Sequence, residues 1–376
     1  MTENEKKKIK ILYTVTNSDL GGISKLILET VKYILDDVDS YFIMGTPGYF
    51  SDELEKLGIP KDHIYFVPMT NSIFDIKQHL NAIIGTLKII KEVKPELIHC
   101  HATTASIVSA ICTRITGIPA LYSVNGWPFT DGITKWKQIF YKILDILICS
   151  SFKKINTESV YDKNQGIALM PWLKNRITAI PNGITDISEE YRKKDFSTDG
   201  DLKITMISRF CPQKDPYTLI KAVGELVQEG YNVKLDLYGY GAETEQVLEE
   251  IKKYNTENIK YCGLITEAIT VLKDYDIYSL ISNWEGFPVG IIEALAVGLP
   301  VIVSDICGNS ELIDNNGYLI PRKDVKTLKE KIKFYYENRN ELSKQGQQSR
   351  KLYEQEFEGS VMSKRFFNLY KEILKF

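Results

Sequence analysis

No stretch of this sequence reaches 18 uninterrupted apolar residues, so no membrane-crossing helix is expected. No two of its six cysteines are spaced as Cys-x-x-Cys, which removes a zinc knuckle and a thiol redox pair. Five of the six lie in apolar surroundings and read as small, reduced core residues, as suits a cytoplasmic protein. Charge of one sign is scarce. The formal net charge is −2, which argues against a dedicated nucleic-acid binder. The start, MTENEKKKIKILYTV, lacks the apolar core and small-residue cleavage site of a secretion signal. A complete Gly-x-Gly-x-x-Gly is missing too. Its nearest match, GYGAET at 239–244, lacks the third glycine and follows a second-domain strand, which argues against an NAD-dependent dehydrogenase.

What is there suits a folded protein of two domains. The 376 residues are 44% hydrophobic and 26% charged, and exceed one ordinary core. Apolar runs of strand length (KIKILYTV, ELIHCH, ALYSV, ITAIPNG, then DLKITMIS, NVKLDLYG, DIYSLIS, PVIVSD) alternate with segments whose apolar residues recur every three or four positions. Such alternation predicts parallel sheets covered by helices on both faces, an α/β class. The polar, non-periodic stretch 184–200 reads as a linker. The expectation is a Rossmann-like domain over 1–185, a second over 200–357, and a final amphipathic helix, about 358–376, returning to the first. Charge is uneven. Residues 1–183 carry a net +3 and the remainder −5. The positive excess gathers between Asp131 and Arg176, where TKWKQIFYKILDILICSSFKK interleaves cationic and apolar residues. That pattern fits a helix lying on anionic lipid headgroups, and equally a packed helix with a solvated lysine face.

Three stretches carry chemistry. In SNWEGFPVGIIEALAVGLPVIVSD, 282–305, Glu285 lies in the turn beyond the carboxyl end of a strand, where open α/β sheets bind ligands. Pro288 suits the first turn of the following helix, whose free N–H groups offer a seat for a phosphate. Glu293, further along that helix, is placed to face the same crevice. Carboxylates accept strong hydrogen bonds from sugar hydroxyls, so the layout suggests one glutamate on a ribose, one on a second sugar, and a diphosphate between. In SRFCPQKDPYTLIKA, 208–222, Arg209 and Lys214 follow a strand and fit a diphosphate whose charge grows as it leaves; Asp215-Pro216 reads as a helix start. In TNSDLGGISKLILE, Gly21 and Gly22 permit close backbone approach at the next helix start.

Together these stretches, with PNG at 181–183, resemble the family 4 retaining glycosyltransferases of the GT-B fold over nearly the whole chain. The resemblance implies two Rossmann-like domains facing across a cleft that encloses a nucleotide-sugar. It implies that Arg209 and Lys214 hold the diphosphate, Glu293 the ribose, and Glu285 the donor sugar, with Arg209, Lys214 and Glu285 the catalytic set. Gly286, Phe287, Pro288, Val289 and Gly290 would lie near sugar and phosphate, and Gly21 and Gly22 would complete the phosphate site. Gly263 and Leu264 would lie near the base, and Asn182 in the cleft.

One position departs from the pattern. Related enzymes usually carry histidine where LYSVNGWPF has Asn125, and an amide cannot carry a proton charge. His99 and His101, in ELIHCHATTAS, are the nearby candidates for that role, with His101 the better match; both also read as ordinary core or turn histidines. No metal or other cofactor is expected, since the two cations neutralise the diphosphate. Asp37/Asp39 and Asp274/Asp276 match Asp-x-Asp but read as surface acids. The implied partners are a nucleotide-sugar, UDP before GDP, and a glycan or undecaprenyl-diphosphate-linked acceptor. The implied setting is surface polysaccharide synthesis, in the cytoplasm or against the inner face of the membrane. An epimerase or phosphorylase of the same fold, or a catalytically weak carbohydrate-binding homologue, is the alternative, and Asn125 is the feature favouring the last.

Overall fold

A computed structural model describes residues 7–19, 21–70, 72, 75–129, 133–196 and 198–376. The first six residues, Asp131 of the basic stretch and Ser197 of the polar stretch lie outside it. The chain divides into two compact units. One comprises Met1–Gly183 with Gly359–Phe376, the other Ile184–Glu358.

The first unit is built on seven strands: β1 (Ile9–Thr14), β2 (Val38–Met44), β3 (Ile64–Phe66), β4 (Leu97–His101), β5 (Ala120–Val124), β6 (Lys154–Thr157) and β7 (Ile177–Ala179). They form one parallel sheet in the order β3-β2-β1-β4-β5-β6-β7. Helices cover both faces, so the inner strands read as apolar runs; every residue of β4 and β5 is buried. The helix Gly359–Leu374 packs here through Met362, Phe366, Leu369 and Tyr370, which join the core around β1 and β2.

The second unit holds β8 (Leu202–Ile207), β9 (Val233–Tyr238), β10 (Ile259–Gly263), β11 (Ile277–Leu280), β12 (Val301–Ser304) and β13 (Gly317–Ile320). This sheet is also parallel, in the order β10-β9-β8-β11-β12-β13. In both sheets the strand order reverses beside the first strand, at β1/β4 and at β8/β11, and ligands of such sheets bind beyond the carboxyl ends at that point. The polar stretch after Gly183 is fastened to the second unit. Arg350 grips Asp186 with two 2.7 Å bonds, Lys193 N donates to Val297 O at 2.8 Å, and Ile187 enters the core.

One core residue is chemically out of place. The helix Lys135–Cys149 turns Asp145 inward beside Ile148 and Cys149, and neither carboxylate oxygen has a partner among the described residues. Burial pushes its pKa up to about 8. A carboxyl in the unfolded chain ionises near pH 4, so between about pH 4 and pH 8 the folded protein holds a proton that the unfolded chain has released, and stability falls as pH rises through that window. Asp145→Asn removes the ionisation while keeping the shape. We expect it to stabilise the protein by about 2–5 kcal/mol at pH 8 and by far less at pH 4. Urea midpoints of both proteins across that range measure the difference; parallel curves would mean the carboxyl is not held neutral.

Candidate active site

In the second unit, β8 and β11 bring two loops together although β9 and β10 separate them in sequence. The loop after β8 carries Arg209 and Lys214; that after β11 carries Glu285 to Pro288. They are laced by backbone bonds, with Asp215 N donating to Ile281 O at 2.9 Å and Asn283 N to Gln213 O at 2.7 Å. Side chains complete the joint. Lys214 Nζ forms an ion pair with Glu285 Oε1, and Gln213 Nε2 donates to Glu285 Oε2 at 3.1 Å. The Lys214 and Glu285 side chains are only 13% and 4% exposed, so this pair is largely desolvated. The cation and carboxylate assigned separately to diphosphate and sugar are thus joined directly in this structure.

Arg209 is exposed and makes no ion pair among the described residues. Its loop is seated on Gly239–Gly241. Ser208 N donates to Tyr238 O at 3.0 Å and Phe210 N to Tyr240 O at 3.3 Å. A side chain on Gly239 or Gly241 would collide with the carbonyls of Ser208 or Phe210. The GYG of the incomplete dinucleotide motif therefore lets two backbones touch. Asp215 caps the next helix, accepting from Thr218 N at 3.2 Å and Thr218 Oγ1 at 2.7 Å, with Pro216 in its first turn.

Pro288 is the N-cap of the helix Val289–Val297, just ahead of the first turn in which the sequence suggested it would sit. Phe287 is buried against Phe357. Tyr278, beneath the helix start, donates to Ile207 O at 3.3 Å. Burial, and then the charges of Glu293 and Glu285, hold its hydroxyl far above the ordinary phenol range. The charges of both glutamates therefore reach the same hydroxyl. Gly263 ends β10 and accepts from Gly239 N at 2.8 Å, and Leu264 beyond it is 74% exposed.

In the first unit, Gly21 and Gly22 open the helix Gly22–Lys32 at the mouth of a cavity of about 460 Å³, lined also by Thr16, Asn17, Thr103 and Tyr141. A side chain at either glycine would meet nothing within 4 Å, so no neighbour requires the pair. The two histidines of β4 differ. His99 is a core residue, with Nδ1 against the Tyr370 hydroxyl and Nε2 against Ser123 Oγ, both at 2.8 Å. His101 is buried beside Asn125, and neither ring nitrogen makes a hydrogen bond of regular geometry among the described residues. Burial lowers the pKa of both, that of His101 to about 3, so neither supplies an imidazolium at neutral pH. Asn125 Nδ2 donates to Glu158 Oε1 at 2.7 Å, and burial pushes Glu158 up to about 7. Glu158 went unnoticed in the sequence, since only the β5/β6 register sets it beside Asn125. Asn182 lies in the same group. Of the Asp-x-Asp residues, Asp39 accepts from Tyr41 Oη at 3.1 Å, and Asp276 accepts from Lys203 N at 2.9 Å.

Each unit thus carries its candidate groups at the switch point of its sheet, a cation–carboxylate joint in one and a glycine-opened cavity in the other. Residues 20–186 match the model of Glycosyltransferase Family 4, and residues 187–352 match that of Glycosyl transferases group 1. The chain belongs to the family 4 glycosyltransferases of GT-B fold. It is 27% identical over 340 residues, 85% of each chain, to the UDP-Gal:alpha-D-GlcNAc-diphosphoundecaprenol alpha-1,3-galactosyltransferase of Escherichia coli. It is 22% identical to the O-antigen biosynthesis glycosyltransferase WbnH of the same organism, over 88% of this chain and 91% of that one. Among solved structures, Anabaena Alr3699/HepE in complex with UDP and glucose shares the fold, with a TM-score of 0.79, 17% identity, and coverage of 96% of this chain and 99% of that one.

Gly290 tests the local packing. A Cβ there would lie 2.7 Å from the Tyr278 hydroxyl. Gly290→Ala is expected to destabilise by about 1–3 kcal/mol. Tyr278→Phe added to it should recover most of that loss, because the obstructing oxygen is gone. Chemical denaturation of the two single variants and the double variant gives the coupling; simple additivity would show that the helix start relaxes elsewhere.

Proposed function

We propose that the protein transfers a hexose or N-acetylhexosamine from a UDP-sugar to a glycan or lipid-linked acceptor in surface polysaccharide synthesis, with retention of the donor's anomeric configuration. The carrying observation is the joint of Lys214, Gln213 and Glu285 at the β8/β11 switch point, beside the helix start at Val289. It offers a directed cation, free helix N–H groups and carboxylates for sugar hydroxyls in one place. The E. coli relatives, named for a UDP-galactose donor, a diphosphoundecaprenol-linked acceptor and O-antigen biosynthesis, support the donor and acceptor classes.

In this reading Arg209 and Lys214 neutralise the charge that builds on the departing diphosphate, and a metal is not needed for that task. Glu285 aims the Lys214 ammonium and meets the donor sugar, while Glu293 receives the ribose. The diphosphate takes the acceptor's proton on the face from which it leaves. A thermal-shift screen of nucleotides and nucleotide-sugars identifies the donor, and chromatography of the transferred sugar with its anomeric configuration identifies the reaction. Lys214→Ala is expected to lower turnover by about 10²–10³ with the fold intact. Near-native turnover in that variant would remove the diphosphate assignment.

A lipid-linked acceptor calls for a way to meet a membrane, and no described helix is long and apolar enough to cross one. The helix Lys135–Cys149 buries Asp145, Ile148 and Cys149 on one side, and on the opposite side exposes Trp136, Ile139, Ile143 and Leu147, each 55–62% exposed. The exposed residues Lys135, Lys137 and Lys142 flank that stripe. An apolar stripe edged by lysines suits peripheral docking on anionic headgroups. The native protein should co-sediment with phosphatidylglycerol vesicles and much less with phosphatidylcholine vesicles. Ile143→Glu should weaken the first roughly tenfold or more, by removing apolar burial and adding repulsion. Equal binding of both vesicle types, or an Ile143→Glu protein that binds as the native one does, would end this part of the reading.

A further inference from the structure

The carboxyl ends of β4, β5, β6 and β7 lie side by side in the first sheet, and each leads to one polar residue: His101, Asn125, Glu158 and Asn182. The register pairs Val124 with Thr157, so Asn125 and Glu158, one step further along, are neighbours. Around their 2.7 Å hydrogen bond, His101 and Asn125 lie close enough for their side chains to interact, yet four buried atoms make no hydrogen bond of regular geometry among the described residues: both ring nitrogens of His101, Asn125 Oδ1 and Asn182 Oδ1. His101 and Asn182 are 1% and 7% exposed. Buried polar atoms are nearly always satisfied. Several orphans together at the ligand-binding end of a parallel sheet mark a place that a hydroxyl-rich molecule completes.

A carboxylate only accepts hydrogen bonds, so it decides which end of a neighbouring amide faces it. We propose that Glu158 is a positioning residue for sugar hydroxyls in the first unit: by drawing Asn125 Nδ2 to itself it points Asn125 Oδ1, with His101 and Asn182, at the bound ring. This deepens the sugar-transfer reading and rests on it. A protonated Glu158 donates instead of accepting. The Asn125 amide then turns over and presents its NH2 group where the oxygen stood. The charge on one carboxyl thereby sets the polarity of the site.

Burial pushes Glu158 up to about 7; the Asn125 and Asn182 side chains pull it down, and Asp162 adds a smaller upward push. Among the described residues the charged group that acts on it is Asp162, on the helix Val160–Leu169; His101 lies beside its partner Asn125, with His99 behind, its ring centroid 4.2 Å from that of His101. Both histidines are neutral near pH 7, so a titration at neutrality belongs to the carboxyl.

Two measurements test this. The protein has four histidines, so their ring signals in a carbon–proton NMR spectrum are assignable by single substitutions. Between about pH 5 and pH 9 the His101 signal should move with a midpoint near 7 in the native protein and stay flat in Glu158→Gln. The second is steady-state transfer with the UDP-sugar found in the screen. Glu158→Gln, whose amide no longer dictates the orientation of Asn125, should raise KM roughly tenfold at pH 8, leave kcat within a few-fold, and abolish the change of KM around neutrality. Glu158→Asp should recover part of the pH dependence. A flat His101 signal in the native protein, or a Glu158→Gln enzyme with native KM at every pH, overturns the proposal. A native protein that turns over no UDP-sugar refutes the transfer reading instead, and the His101 titration still decides the state of Glu158.

Discussion

The attachment of two loops at the β8/β11 junction is the constraint on which the second unit's site depends. Lys214 and Glu285 stand far apart in sequence and meet because parallel crossovers make β11 the neighbour of β8. Their ion pair is nearly enclosed, and enclosed pairs add little net stability because both charges lose water. What the pair supplies is direction. With Gln213 on the second carboxylate oxygen, Glu285 has one orientation, and the lysine it holds has one too. The Gly239–Gly241 contact does the same for the backbone of the Arg209 loop.

The first unit handles charge differently. Its polar groups are sunk into the sheet's carboxyl end, where burial keeps His99 and His101 neutral and raises Glu158 toward neutrality. Asn125 is compatible with that setting. A histidine beside Glu158 would form an ion pair and raise its own pKa, whereas an amide lets the carboxyl choose the arrangement. One unit thus presents a fixed charge pair, the other uncharged hydrogen-bonding groups whose orientation one carboxyl sets.

Much of this was legible in the residues, for identifiable reasons. Strands buried on both faces, such as β5 and β12, appear as mostly apolar runs. Short or polar-edged ones do not: β2 begins VDSYFIM, with acids just ahead that blended into the preceding helix, and β6 is only KINT. Glu285, Glu293, Arg209 and Lys214 stood out because strand–loop–helix punctuation put charge where a parallel sheet binds ligands. The stretch 184–200 read as a linker because its polar side chains have partners far away in sequence, Asp186 with Arg350 above all. Glu158 and Asp145 were invisible for a related reason. Which side chain faces which is fixed by strand register and by the inward turn of a helix, and neither is written locally.

The helix Gly359–Leu374 closes the first unit with residues that follow the second unit in sequence. Tyr370 lies within hydrogen-bonding reach of Tyr13 and His99, and Gly183 N donates to the Met362 sulfur. A ribosome delivers β1 to β7 early, yet the phenol that satisfies His99 emerges only after the whole second unit has been made. The nascent first unit must therefore wait, its β1 and β2 flank uncovered, while the whole second unit is synthesised and folds. In this protein the order of manufacture and the order of completion are reversed: the half begun first is finished last.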